Sequence, residues 1–282
     1  MSQALRRMAR GGKTFYFASM WLERSVRENA AIAYSFCRMV DDLADTVLPG
    51  ERRTCALERL LHAIKAHDTS CSEAAPMLTL IERFPQIRQP TEALISACSV
   101  DTPGIRINDA QELLQYAHGV AGTVGLIMYP LLGGAAKEGQ SFAADLGIAM
   151  QCTNIARDII SDLKENRIYL PQEWLKNSDL YRLLRHDSEV EEVAVSATRR
   201  LLSLSQEYYT RGLQGLSYLK PRCRFAIRVA ANCYAAIGER VIQHGAISRQ
   251  RAVVPLHTKI AVALRASQAH RRTQGCAVSE GV

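Results

Sequence analysis

Between Leu113 and Ala136 the chain runs for 24 residues without one Asp, Glu, Lys or Arg. A stretch of that length either spans a bilayer or lies inside a protein. This one carries Gln115, His118 and Thr123, then Pro130 and the Gly133–Gly134 pair, and its Gly119, Gly122 and Gly125 recur at every third residue. A narrow face of small residues lets another backbone come close. The stretch is therefore predicted to be a buried core helix, which needs other elements packed around it.

Residue usage indicates that those elements are helices. Ala, Leu and Arg are the commonest residues, and the Gly and Pro residues cluster at a few breaks. With 48% hydrophobic and 22% charged residues, the chain has the balance of a globular protein. No run of alternating β-branched residues with hairpin turns appears, and no internal repeat. A first helix is predicted from Ser25, with Glu28 completing a capping box, to a stop before Pro49–Gly50. A second covers about 51–67, and 68–90 reads as loop and short helix broken by Pro76, Pro85 and Pro90. Helical periodicity resumes at about 91–100, and Asn108 and Gln111 open the apolar helix. Further helices are predicted at about 139–163, 188–218 (a second capping box, Ser188 with Glu191), 221–244 and 254–270. The ENRIYLPQEWL segment reads as extended or irregular, because Pro171 disfavours helix at Leu170. The expected architecture is all-α, a single domain over 1–282 with its core at about 10–270 and a short C-terminal tail.

Two polar patterns stand out against this background. Asp41 and Asp45 are four residues apart and so lie one turn apart on one helical face, which Tyr34 and Arg38 share, while Asp42 points about 100° away. The second pattern is Gln151, Asn154, Asp158 and Asp162, whose spacings of three, four and four form one stripe on an otherwise apolar helix. A single D-x-x-x-D pair is usually a solvated face. A polar stripe buried among Leu146, Ile148, Met150, Ile155, Ile159 and Ile160 costs free energy unless something satisfies it. Carboxylate and amide oxygens suit hard divalent cations, Mg²⁺ above all. A di-iron bundle would need Glu-x-x-His pairs, and no zinc ligand spacing is present.

Composition sets further limits. The formal net charge of +7 fits a nucleic-acid surface, a membrane-facing patch or a pocket for anionic substrates. Basic residues are spread along the chain and no nucleic-acid-binding motif accompanies them, so nucleic acid is not an expected partner. None of the eight cysteines forms a C-x-x-C pair, and several lie in apolar stretches. Free thiols in a reducing compartment are expected. The N-terminal MSQALRRMARGGK lacks the apolar core of a signal peptide, so the expected location is cytoplasmic, with peripheral contact at the inner face of a membrane left open.

In their order and wording these motifs resemble the squalene/phytoene synthase family. The matching blocks are Gly12-Lys13-Thr14-Phe15, Tyr34 to Asp45, Tyr116 to Gly125, and QCTNIARDIISDLKENRIYLP at 151–171. The likeness spans about residues 10–265. It implies an isoprenoid-synthase helical bundle with a central cavity, in which two aspartate motifs face each other and hold Mg²⁺ against substrate diphosphates. By position, Asp41, Asp45, Asp158 and Asp162 would be metal ligands together with Asn154. The family typically uses two or three ions, and Mn²⁺ can substitute. Gln151 would line the site. Lys13, Arg38 and Arg251 would bind diphosphate oxygens, with Thr14 in the frequent place of a Ser, and Arg157 and Arg167 would support the second motif. Tyr34, Tyr116 and Tyr234 would lie near the reacting chains. Departures are modest: Ser161 stands where many members carry an acid, and Gly11 where some carry His.

The resemblance implies head-to-head condensation of two geranylgeranyl diphosphates to 15-cis-phytoene through a cyclopropylcarbinyl diphosphate, without NADPH. The enzyme alternative uses farnesyl diphosphate and gives presqualene diphosphate, squalene or dehydrosqualene. The non-enzyme alternative is an inactive relative serving as an assembly factor, against which the retained aspartates argue.

Overall fold

In the computed structural model, residues 1–45, 50–101, 104–247 and 251–279 are described, the side chains of 45, 50–54 and 268–279 apart. Two short N-terminal helices, α1 (Gln3–Gly11) and α2 (Lys13–Ser19), precede α3 (Arg24–Asp45) and α4 (Gly50–Ala66). Then come α5 (Ala75–Arg83), α6 (Arg88–Val100), α7 (Ala110–Ala117), α8 (Thr123–Leu131) and the central α9 (Glu138–Lys164). The short α10 (Gln172–Leu175) leads to the long α11 (Ser188–Gln214), α12 (Pro221–Gln243) and α13 (Leu256–Ser279). Among the described residues the only β-type pairing is a single parallel bridge between Arg106 and Ile168. The all-α expectation holds.

Local chemistry explains where the helices begin, and corrects several expected boundaries. Helix α3 starts at Arg24, so Ser25 lies inside its first turn, and the Glu28 carboxylate accepts from Arg24 Nε at 3.2 Å instead of closing a capping box. Helix α11 is capped by Asp187, one residue before the expected Ser188; its carboxylate accepts from Val190 N at 3.2 Å. Asp109, rather than Asn108, caps α7 by accepting from Glu112 N at 2.8 Å. Helices α1 and α2 were not expected, because at nine and seven residues they are short; α1 buries only Leu5 and Met8 and turns Arg6, Arg7 and Arg10 outward.

The uncharged stretch is a buried element, as predicted, but not one helix. It is α7, then a π-helical turn at His118–Gly122, then α8, ending at Gly133 with φ +84°. A π turn interrupts the regular i→i−4 ladder and often marks a functional site. Its small residues let α9 approach at backbone distance. A Cβ on Gly147 of α9 would sit 2.1 Å from the Ala121 carbonyl oxygen, and one on Gly125 of α8 would sit 2.1 Å from that of Ala143. Helix α9 also packs on α7, α11 and α12, so it runs through the middle of the molecule. One core lies where α9 meets α11 and the 168–183 segment, through Ile155, Ile159, Leu175 and Leu201. Another joins α3 to α6 and α8 through Val40, Leu57, Ile81, Leu94 and Ile127. No helix of the described residues is long and apolar enough to cross a membrane.

Replacing Gly147 by Ala is expected to cost about 1–3 kcal/mol, since the added methyl meets backbone that has no rotamer to escape into. Gly238→Ala meets only side chains, Leu202 at 3.0 Å and Thr153 at 3.9 Å, and is expected to stay within about 1 kcal/mol of the parent. Urea unfolding midpoints check both. Cys37, Cys98, Cys152, Cys223 and Cys233 are buried, whereas Cys55 is exposed and Cys71 half-buried. Burial pushes the Cys152 thiol up to about 12 and the Cys233 thiol up to about 11, so their reactive thiolates are scarce at pH 8 and grow as pH rises. A disulfide-exchange reagent at pH 8 should therefore show a fast phase of no more than three thiols, the other five reacting on unfolding.

Candidate active site

Four elements converge on one cavity of about 730 Å³. Helix α2 brings Lys13, Thr14 and Phe15; α3 brings Tyr34, Arg38 and Asp41; α9 brings Gln151, Asn154 and Arg157; α12 brings Tyr234. Arg251, from the segment between α12 and α13, completes this polar end. Most of the remaining wall is apolar, including Val120, Val124, Met128 and Leu132 and, from later in the chain, Leu216, Leu219, Ile227 and Ala230. On α9 the lining residues are Gly139, Ala143, Leu146, Gly147, Met150, Gln151, Asn154 and Arg157, one helical stripe that turns from small and apolar to polar. From Gly139 to Asn154 that stripe is about 22 Å long at 1.5 Å per residue.

The two aspartate motifs reach this end in different states. Asp41 lines the cavity, and Cys98 Sγ donates toward its Oδ1 at 3.9 Å. Asp45 closes α3 with its backbone, and its side chain is outside the described residues. Asp158 and Asp162 continue the α9 stripe beyond the cavity lining. Arg157 Nε donates to Asp158 Oδ1 at 2.9 Å and its Nη2 donates to Oδ2. Arg251 grips the same carboxylate with both arms, at 3.0 and 3.1 Å. Burial pushes the Asp158 carboxyl up, but the hydrogen bonds and charge of these two arginines outweigh it and hold it below the usual range. Asp162 lacks such a clamp: burial, then the charge of Asp158, push it up to about 8.

Asp42, which the helix geometry turned away from Asp41, has a part that sequence spacing did not reveal. Its carboxylate pairs with Arg38 at 2.8 Å and with Arg7 of α1 at 2.9 Å. Arg38 is thus held at the cavity by an acid that is itself anchored to the N-terminal helix. Phe15 was also not singled out from the sequence; its ring lies 5.9 Å from Tyr34 and 5.1 Å from Tyr234, centroid to centroid. Gly12 permits this cluster, because a Cβ there would stand 2.7 Å from Tyr34 Cζ. Burial raises both tyrosine hydroxyls, that of Tyr234 to about 12, so both stay neutral near pH 7. Lys259 of α13 is a further buried lining residue that sequence patterning missed.

Tyr116 is not among the lining residues. It stacks on Tyr169 at 4.9 Å, and both hydroxyls donate to the Asp101 carboxylate at 2.8 Å. Arg167 is buried near the end of the second motif, where its backbone N donates to the Asp162 carbonyl oxygen at 2.8 Å and its guanidinium lies 3.3 Å from Glu165.

The donor set fits Mg²⁺. Asn154 Oδ1 is buried without a hydrogen-bond partner among the described residues, an acceptor left open beside acidic groups. Among those residues no three His, Cys, Asp or Glu close into a protein-only cage. Mg²⁺ takes one or two carboxylates and completes its shell with water and substrate phosphates, and the carboxylate and amide oxygens of Asp41, Asn154 and Asp158 are of that donor type.

The family profile described as squalene/phytoene synthase matches residues 8–258. The chain belongs to this family, whose members are prenyltransferases of isoprenoid and carotenoid biosynthesis. It is 31% identical over 253 residues to a phytoene synthase of Pseudescherichia vulneris, covering 86% of this chain and 82% of that one. A 15-cis-phytoene synthase of Enterobacter agglomerans is 30% identical over 272 residues, 91% of each chain. Among solved structures, a dehydrosqualene synthase superposes with a TM-score of 0.85 at 22% identity, covering 95% of both chains. The squalene synthase HpnC of Alicyclobacillus acidocaldarius gives 0.74 at 22% identity, over 86% of this chain and 93% of that one. These solved structures share the fold.

Behind the stripe, Thr153 is fully buried and its hydroxyl joins the Ala149 carbonyl, Ser205 and Tyr209 at 3.0 to 3.1 Å. Thr153→Val strips two buried hydroxyls of a partner and is expected to lower stability by about 1–3 kcal/mol, read as a shift in thermal midpoint.

Proposed function

We propose that the protein joins two geranylgeranyl diphosphates head to head to give 15-cis-phytoene through a cyclopropylcarbinyl diphosphate. The observation that carries this is one continuous helical stripe on α9, polar at Gln151, Asn154 and Arg157 and apolar along the rest of a deep cavity. It provides for a charged head and a hydrocarbon tail on the same wall. The phytoene synthases at 30 and 31% identity support the choice of product.

The residues then divide the work. Lys13, Arg38 and Arg251 present positive charge to the diphosphates, and this charge gains most as negative charge develops on the leaving group. Asp41, Asp45, Asn154, Asp158 and Asp162 would hold Mg²⁺, which when bound supplies Lewis-acid stabilisation of that leaving group. Loss of the first diphosphate leaves an allylic cation that is attacked by the double bond of the second substrate, and a proton leaves to close the cyclopropane. Loss of the second diphosphate, rearrangement and loss of another proton give the linear hydrocarbon, so no reductant is consumed and NADPH is not needed. Throughout, Phe15, Tyr34 and Tyr234 line the polar end, where aromatic rings stabilise positive carbon. The apolar wall excludes water that would quench it.

The test is incubation with Mg²⁺ and either geranylgeranyl or farnesyl diphosphate, with and without NADPH, followed by mass spectrometry of extracted lipid. A C40 hydrocarbon without NADPH is expected; a C30 product alone, or an absolute need for NADPH, moves the reading to the squalene branch. Asp41→Asn and Asp158→Asn are each expected to lower turnover by ~10²-fold or more, and full activity in both would remove them from the metal site.

A further inference from the structure

The two ends of the cavity are unlike. At the polar end Arg10, Lys13, Arg38 and Arg251 are exposed. The α9 stripe begins at Gly139, about 22 Å from Asn154, and around that end the lining is buried. Tyr129, Leu132, Leu216 and Leu219 are no more than 7% exposed, and they form one hydrophobic cluster with Cys223. A chain that follows the stripe inward from the polar end finishes against this cluster.

One side chain of the cluster is fixed from three directions. Tyr129, in the last turn of α8, donates its hydroxyl to the Ala136 carbonyl oxygen at 3.0 Å, in the connection that leads to α9. Its ring is wedged against two glycines. A Cβ at Gly134 would stand 2.3 Å from ring carbon Cε2, and one at Gly139 would stand 1.9 Å from the hydroxyl oxygen. Neither position has room for a methyl group while the ring is in place. The ring therefore lies between the buried end of the cavity and a connection whose Gly133, Ala135 and Lys137 are exposed. A leucine can change rotamer to make room for a ligand. A tyrosine bonded at its tip and pinned against backbone cannot do so without giving up a buried hydrogen bond.

We propose that Tyr129 is the stop that sets the longest prenyl tail the cavity accepts. The last isoprene unit of a longer tail meets the ring, and removal of the ring continues the cavity toward the connection between α8 and α9. Tyr129→Ala takes away seven heavy atoms, which leaves space for the five carbons of one more isoprene unit. The stop rests on the proposed function only in taking a prenyl tail as the occupant of the cavity.

The experiment measures binding rather than turnover. Unreactive prenyl S-thiolodiphosphates of C15, C20, C25 and C30, with sulfur in place of the ester oxygen, are titrated calorimetrically into the full chain with Mg²⁺. The cut-off is the first length that binds at least about tenfold more weakly than the length before it. The proposed function puts the parent's cut-off at C25. Tyr129→Ala is expected to move the cut-off up by one isoprene unit from wherever the parent has it. Tyr129→Leu, which keeps apolar bulk beside Gly134 and Gly139, moves it the same way and serves where the Ala variant does not fold. Tyr129→Phe keeps the ring and should keep the parent's cut-off. A parent that binds no length, or all four alike, overturns the proposal. So does a variant without the ring, shown to be folded by a cooperative thermal transition, that has the parent's cut-off. A Phe variant whose cut-off moves as far as that of the Ala variant overturns it too, because the ring is then not the stop. A parent cut-off at C20 that moves to C25 in the Ala variant supports the stop and counts against the proposed C20 substrate.

Discussion

The contact on which this architecture depends is the backbone approach of α9 to the π turn and α8. At Gly125 and Gly147 there is no room for a methyl group. Packing at this distance fixes where α9 lies, because a helix seated on carbonyl groups has no side-chain layer to slide over. The stripe on α9 is thereby aimed, its apolar part along the cavity and its polar part at the mouth. The small residues spaced by three were open to two readings in the sequence, close packing or space for a tail. Gly119 packs on Ala97 of α6, whereas Gly125 both abuts α9 and, with Val120, Ala121 and Val124, lines the cavity, so the two readings hold together.

Polar satisfaction around the site is layered. Directly behind it, Thr153, Ser205 and Tyr209 form a closed hydroxyl cluster, and Tyr116 and Tyr169 share the Asp101 carboxylate. Groups of this kind orient a buried helix because moving it would leave them unpaired. Among the described residues that line the cavity, Asn154 keeps an open acceptor. The contrast between a closed support and an open acceptor is what a ligand-binding helix requires.

Much of this was legible from the sequence. The α9 stripe, the D-x-x-x-D spacing and the buried character of 113–136 follow from periodicity and from the cost of burying polar groups. What escaped has definite causes. Helices α1 and α2 are only nine and seven residues long, yet α2 delivers Lys13 and Phe15. Helix starts slipped by a residue at Asp187 and Asp109, because neighbouring Ser, Asn and Asp are all competent caps. The pairing of Asp42 with Arg7 joins residues 35 apart in sequence, and nothing local encodes it. Tyr116 belongs to a block of conspicuous motif residues, but its hydroxyl is committed to Asp101.

The bidentate grip of Arg251 on Asp158, shared with Arg157, bears on how tightly the site can bind anything. An incoming anion does not meet a bare guanidinium; it competes with a carboxylate already in the best geometry that arginine offers. Affinity is then a difference between two ion pairs, smaller than either. A lone anion gains little by displacing Asp158, while a cation arriving with it gives the released carboxylate a new counter-charge. On the proposed roles of these residues, the resting protein would discriminate between a charged group that arrives alone and one that arrives with its metal.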